Sequence, residues 1–153
     1  MSFRIEHRMG VPATPSEIWD VLSDFAGWTQ WNPVHPKIEG QLKIGSQLVV
    51  HEAFDGVPAK VIQPTVVDWV PDSQILWRVQ EMGGFVRRLR YIEIDTFEET
   101  PNGSILANGE IWSGMIGERT GKRLRRPLRA GFEAFNEAAA KHIAERLARK
   151  SGS

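Results

Sequence analysis

Toward the C-terminal end, apolar residues recur at every third or fourth position. Leu124, Leu128, Phe132, Phe135, Ala139, Ile143 and Leu147 keep this spacing between about Glu118 and Lys150, which predicts a helix with one buried stripe. Charged residues such as Lys122, Arg125, Arg126, Arg129, Glu133, Glu137, Lys141 and Glu145 fill the positions between, so the opposite face is solvated. About 25 helical residues at ~1.5 Å each span roughly 38 Å, enough to cross a small domain. Pro127 suits a first turn or a kink, and the unbroken part of the helix is expected to begin near it.

The beginning of the chain has a different period. Phe3, Ile5, His7 and Met9 alternate with Arg4, Glu6 and Arg8, which predicts a strand over Ser2 to Val11. Thr14-Pro15-Ser16-Glu17 then supplies a capping residue, a proline for the first helical position and an acid three residues after the cap. A short helix follows through Ile18, Trp19, Val21, Leu22 and Phe25, stopped by Gly27. Trp28 and Trp31 before Asn32-Pro33 suggest a second short helix or an irregular turn.

From Lys37 the period becomes two. Lys37 to Leu42, Ser46 to Phe54, Ala59 to Trp69, Ser73 to Glu81, Val86 to Phe97 and Ser104 to Ser113 read as strands. Gly45, Asp55-Gly56, Pro71-Asp72, Gly83-Gly84 and Pro101-Asn102-Gly103 supply the turns. Short turns between sequential strands imply an antiparallel meander, with the first strand closing the sheet at an edge. The expected fold class is α+β, a curved antiparallel sheet wrapped around the long C-terminal helix, with the two short N-terminal helices plugging one end. Residues 1–149 are expected to form a single domain and 150–153 a disordered tail.

Composition narrows the function only by exclusion. Lys plus Arg equals Asp plus Glu at 19 each, so no global field favours nucleic acid. Cysteine is absent, which removes disulfides and thiolate chemistry and is compatible with a cytoplasmic location. No apolar run is long enough for stable membrane insertion. His7, His35, His51 and His142 lack metal-ligand spacing, and no phosphate loop, nucleophile elbow or nucleotide fingerprint occurs. Neither a metal nor a cofactor is therefore expected, and the chain is read as a monomer or homodimer.

Several segments together resemble the START-like superfamily (SRPBCC), which includes the polyketide cyclase/dehydrase and lipid-transport group. They are Val11 to Leu22, Asp24-Phe25 to Trp31-Asn32-Pro33, Pro71 through Leu76-Trp77, Asn108-Gly109-Glu110 to Gly114, and the final helix. The resemblance covers nearly the whole chain. It implies the helix-grip fold and a hydrophobic small-molecule ligand, such as a lipid, polyketide or aromatic compound, held between sheet and helix. Only some members are enzymes, so a polyketide cyclase or aromatase, or a chaperone-regulating interaction module, are the alternatives.

A concave sheet facing a helix leaves space for such a ligand. Alternation puts Arg88 and Arg90 on the face that holds Ile92 and Ile94, and Asn108 and Glu110 on the face that holds Leu106 and Trp112. A short loop between these strands sets Arg90 opposite or diagonal to Glu110, and an ion pair is expected there. Its catalytic use would be to stabilise developing negative charge. Its structural use would be to specify register. Ile92, Asn108, Trp77, Trp112, Leu128, Phe132 and Phe135 are the expected remaining lining residues. His51 or its neighbour Glu52 must also point inward. The glycine-containing loops 83–85 and 114–117, with Phe54 to Pro58, are expected to ring the cavity mouth at the end opposite the N-terminal helices, with Phe85, Met115 and Ile116 as its movable lid.

Overall fold

The computed structural model describes residues 1–96 and 103–152. Its centre is the antiparallel pair β7 (Val86–Thr96) and β8 (Ser104–Ser113), with Arg90 opposite Glu110. β1 (Ser2–Val11) adds to β8 at the edge, while β6 (Gln74–Glu81) and β5 (Thr65–Val70) extend the other side. The strand order β1-β8-β7-β6-β5 is antiparallel throughout. β2 (Ile38–Glu39), β3 (Val49–Glu52) and β4 (Lys60–Ile62) form a smaller sheet. The expected turn at Pro101-Asn102-Gly103 falls largely outside the described residues.

Three strands are shorter than their periodicity predicts, and of Ser46 to Phe54 only Val49–Glu52 is a strand, with an isolated bridge at Gln47. The segment Ala59 to Trp69 divides at Gln63–Pro64, because proline has no N–H for the ladder and a fixed φ. Register nevertheless survives the break. Val50 faces Ile62 and Gln47 faces Thr65, and the residue numbers sum to 112 in both pairs. The Leu48 N–H also donates to the Pro64 carbonyl at 2.8 Å. The small sheet therefore passes into the large one at Pro64, giving one curved surface. Lys37 to Leu42 shrinks to two residues because Gly40 adopts φ 122° against Leu48.

Thr14 caps α1 (Pro15–Leu22) with the reciprocal Glu17 bonds, 3.2 Å and 2.8 Å, that its sequence predicts. A 3₁₀ helix, Phe25–Gln30, follows and buries Trp28 completely. α2 (Gly117–Ser151) is 35 residues long. It begins ten residues before Pro127, so the proline lies inside the helix and does not open its unbroken part. It also continues through Lys150 and Ser151, which are helical and not part of a disordered tail. The buried stripe contains Leu128, Phe132, Phe135, Ala139 and Ile143 as expected, and one polar residue that was not, Asn136. The Asn136 Nδ2 donates to the His7 and Leu106 carbonyls and its Oδ1 accepts from Asn108, tying α2 to the β1–β8 edge.

Candidate functional site

At the end of the sheet opposite α1, three connections meet the N-terminal half of α2: residues 53–59, 82–85 and 114–116. Beneath them lies a buried charged cluster. Leu48, Val50, Glu52 and Phe54 share one parity and are all buried, so strand alternation carries the Glu52 carboxylate inward. Arg88 reaches across and donates to it three times, at 3.0–3.1 Å. The same guanidinium lies 3.0 Å from Glu81 and 3.7 Å from Glu110. Lys60 donates to the outer oxygen of Glu81 at 2.8 Å.

Burial pulls Arg88 down, but Glu110, Glu52 and Glu81 more than offset it and hold the group above its ordinary value. For Glu110 the balance is reversed. Burial pushes its carboxyl up, Glu52 adds to that, and Arg88 and Arg90 only partly oppose it. Burial also works against ionisation of Glu81, where Arg88 and Lys60 prevail and lower its pKa.

Arg90 does not form the expected ion pair with Glu110, although the two stand directly opposite. The Trp112 indole N–H donates to Glu110 at 3.0 Å and draws the carboxylate along its own strand toward Arg88. The Arg90 Nη1 donates instead to the carbonyls of Tyr91 and Gly109, at 2.9 and 3.1 Å. Its guanidinium sits 4.6 Å from the centre of the Phe132 ring, 5.4 Å from Phe135 and 5.9 Å from Trp77. Nη2 is buried and has no hydrogen-bond partner among the described residues. Burial lowers Arg90 to about 10, still cationic at neutral pH.

His35 completes this aromatic chamber and was not singled out by the sequence. It is fully buried. Its Nε2 accepts from the Arg90 Nε at 3.4 Å, which leaves the proton on Nδ1, facing the His51 carbonyl at 3.3 Å. Burial, then Arg90, lowers its pKa far below the ordinary value, so the ring is neutral. The Trp28 ring stacks on His35 with centroids 6.0 Å apart. His51 itself does not enter the interior. Its carbonyl does, and the neighbouring Glu52 supplies the inward side chain.

The structure brings the expected lining residues together, but not around open space. Trp77, Arg90, Ile92, Asn108, Glu110, Trp112, Leu128, Phe132 and Phe135 each expose 2% or less of their surface, so they pack against one another and leave little space between them. The curvature is filled by large side chains from both layers. A void of about 20 Å3 remains beside Glu52, Arg88 and Trp112, under Val57, Leu124 and Leu128, room for about one water molecule. Phe54 closes it. The Phe54 ring packs on Gly131, where an added Cβ would overlap its Cδ1, and meets Phe132 edge-on at 5.5 Å. On its far side a second void of about 110 Å3 lies between Val34, Asp55, Pro127 and Gly131.

The expected lid residues lie at this end but do not line the void. Phe85 is 48% exposed and Met115 82%, and the Ile116 N–H bonds the Phe85 carbonyl at 3.1 Å, joining their two loops. Among the described residues no group of acids and histidines could hold a metal ion, and no helix is long and apolar enough to cross a membrane.

Residues 2–152 match the family described as polyketide cyclase / dehydrase and lipid transport. A Streptomyces aromatase/cyclase superposes with a TM-score of 0.75 at 17% identity, covering 96% of each chain. Norcoclaurine synthase of Thalictrum flavum gives 0.71 at 15%, covering 95% of this chain and 96% of that one. A START superfamily protein from Mycobacterium smegmatis gives 0.72 at 17%, covering 93% and 97%. At these identities the likeness is one of fold, the helix-grip. No curated protein sequence matches the chain significantly.

Proposed function

The chain belongs to the polyketide cyclase / dehydrase and lipid transport family, and on that premise we propose that it binds a ring-bearing apolar small molecule with an oxygen acceptor, between the sheet and α2. The observation that carries this reading is the partnerless Nη2 of Arg90 inside a chamber of aromatic rings. A buried cationic donor left unsatisfied costs free energy that an incoming carbonyl or phenolic oxygen would recover. Flat rings suit the remaining walls, since Phe132, Phe135 and Trp77 offer faces and edges. Binding requires the chamber to open. Phe54 and residues 53–59 are the segment whose movement off Gly131 would join both voids to it.

A second reading, turnover of a poly-β-keto chain by a cyclase or aromatase, is favoured by the contact between Arg90 and neutral His35. The first would stabilise an enolate oxygen, and the second, whose Nε2 accepts from the Arg90 Nε, would hold that guanidinium in position.

Titration with 1,8-dihydroxyanthraquinone, followed by quenching of the buried tryptophans, tests binding. Saturable quenching that weakens at least tenfold in Arg90→Gln supports the proposal. Absence of quenching, or equal affinity in a folded Arg90→Gln variant, removes it. Incubation with a poly-β-ketone then separates the readings, because only the enzyme changes the ring products formed, and Glu110→Gln should spare that change where His35→Gln abolishes it.

A further inference from the structure

A second concavity lies outside the interior and shares no residue with the void beside Arg88. It is an open groove of about 440 Å3 between the free edge of β1 and the N-terminal half of α2. The floor is apolar, formed by Phe3 and Ile5. The rim is basic, with Arg125, Arg126 and Arg129 on α2 and Arg4 on β1.

That charge is uncompensated within the fold. Among the described residues none of these four arginines pairs with a carboxylate. Arg125 donates to the Lys122 carbonyl at 2.8 Å, and Arg4 lies over Tyr91 at 5.4 Å. Glu6, the one acid in the lining, accepts from Arg8 at 3.3 Å. Arg129 stands three and four residues beyond Arg126 and Arg125 on one helix, where like charges disfavour the helix unless an anion bridges them. The chain as a whole has formal net charge zero, so this is a local concentration of cations. β1 is also the edge of its sheet, which leaves one row of backbone N–H groups unpaired on the groove side.

We propose that this groove binds a small amphipathic molecule carrying a phosphate group, with its apolar part against Phe3 and Ile5 and its phosphate among the α2 arginines. Guanidinium forks pair with phosphate through two hydrogen bonds each, and a phosphate monoester brings about −1.5 to −2 charges, the multivalent anion that three cations call for. The shape selects a small molecule over a membrane or a duplex. The β1 wall is only Phe3 to Glu6 long and the floor is recessed, with Ile5 3% exposed. A flat lipid surface would meet the arginines without reaching it. The volume lies within the ~300–1,000 Å3 range of small-ligand sites.

The test is amide chemical-shift mapping with 1-naphthyl phosphate, 1-naphthol and inorganic phosphate, repeated on the Arg126→Gln/Arg129→Gln double variant. Both substituted side chains are exposed, and an unchanged melting temperature verifies that the fold is kept. Saturable shifts over residues 3–6 and 122–129 with 1-naphthyl phosphate are expected. Affinity there should fall at least tenfold in the double variant, at least tenfold for 1-naphthol, and further between about 0.05 and 0.5 M salt. Inorganic phosphate should shift the arginine segment alone, and more weakly. Three results overturn the proposal: non-saturating shifts at every basic residue, saturable shifts that the double variant leaves intact, or binding to phosphatidate vesicles or an acidic peptide with none to 1-naphthyl phosphate.

Discussion

Arg90 stands directly across the β7–β8 ladder from Glu110, yet its guanidinium donates to the backbone carbonyls of Tyr91 and Gly109 while the carboxylate turns toward Trp112 and Arg88. Adjacent inward positions of β7 therefore do different work. Arg88 neutralises the carboxylates, and Arg90 keeps a donor free.

Arg88→Leu leaves Glu52 and Glu110 buried beside each other with their main counter-charge gone. Removing one partner of a buried ion pair costs about 3–5 kcal/mol, and a loss of that size is expected in urea unfolding at neutral pH. Adding Glu52→Leu should restore part of it, since the unpaired charge is the larger penalty. A loss below about 1 kcal/mol in Arg88→Leu would mean that water reaches the cluster and the void is not closed.

Gly131→Ala tests the closure by Phe54. The new Cβ would overlap the phenyl ring, and overpacking of this kind costs about 1–3 kcal/mol. The ring sits on a connection that contains Gly56 at φ 85°, and that connection should yield before the helix does. Faster quenching of tryptophan fluorescence by acrylamide is the expected sign of an opened chamber. Unchanged quenching with the full loss of stability would place the strain elsewhere.

Much of the fold was legible because it repeats. The inward parity of β7 and β8, the Thr14 cap and the α2 stripe are periodic or local signals, and each survives folding. Pro64 shows the limit, since period two continues through it although the ladder cannot. The site was less legible. Leu48 and Val50 carry enough parity to send Glu52 inward and His51 outward, so that signal was present. His35 had none, because it is placed by Asn32, whose Oδ1 accepts from the Val34 and His35 N–H groups at 3.1 and 2.9 Å. The absence of open space could not be read at all, because residue types give the walls but not how closely they approach.

His35 should make stability depend on pH. Its folded pKa lies well below the ordinary 6.5, through burial first and Arg90 second. The unfolded chain then binds the additional proton, so stability is complete above the unfolded value and falls as pH drops through about 6.5 toward the folded value. His142 is lowered as well, by burial and by Arg146 and Arg149, and acts in the same sense. Glu110 is raised and opposes both, because its folded form retains a proton above the ordinary carboxylate range. The difference between wild type and His35→Gln isolates the first group. Its melting-temperature advantage should shrink from pH 7.5 to 5.5, and a constant difference would contradict the neutral assignment.

The loops at the open end give the last expectation. Gly114 adopts φ 99°, and a Cβ there would lie 2.5 Å from the Phe85 carbonyl, so the two loops approach through glycine and hold by the Ile116 to Phe85 hydrogen bond. Met82, Phe85, Met115 and Ile116 are all exposed around that contact. Apolar side chains held by few bonds suit a cover that closes over a ligand. Without ligand, amides 114–117 should exchange their hydrogens rapidly, and saturating 1,8-dihydroxyanthraquinone should slow them. A Met115→Ser/Ile116→Ser variant should keep stability within about 0.5 kcal/mol while the ligand dissociates faster. Equal exchange at 114–117 with and without bound ligand would leave these loops as fixed turns and give the whole gating motion to Phe54.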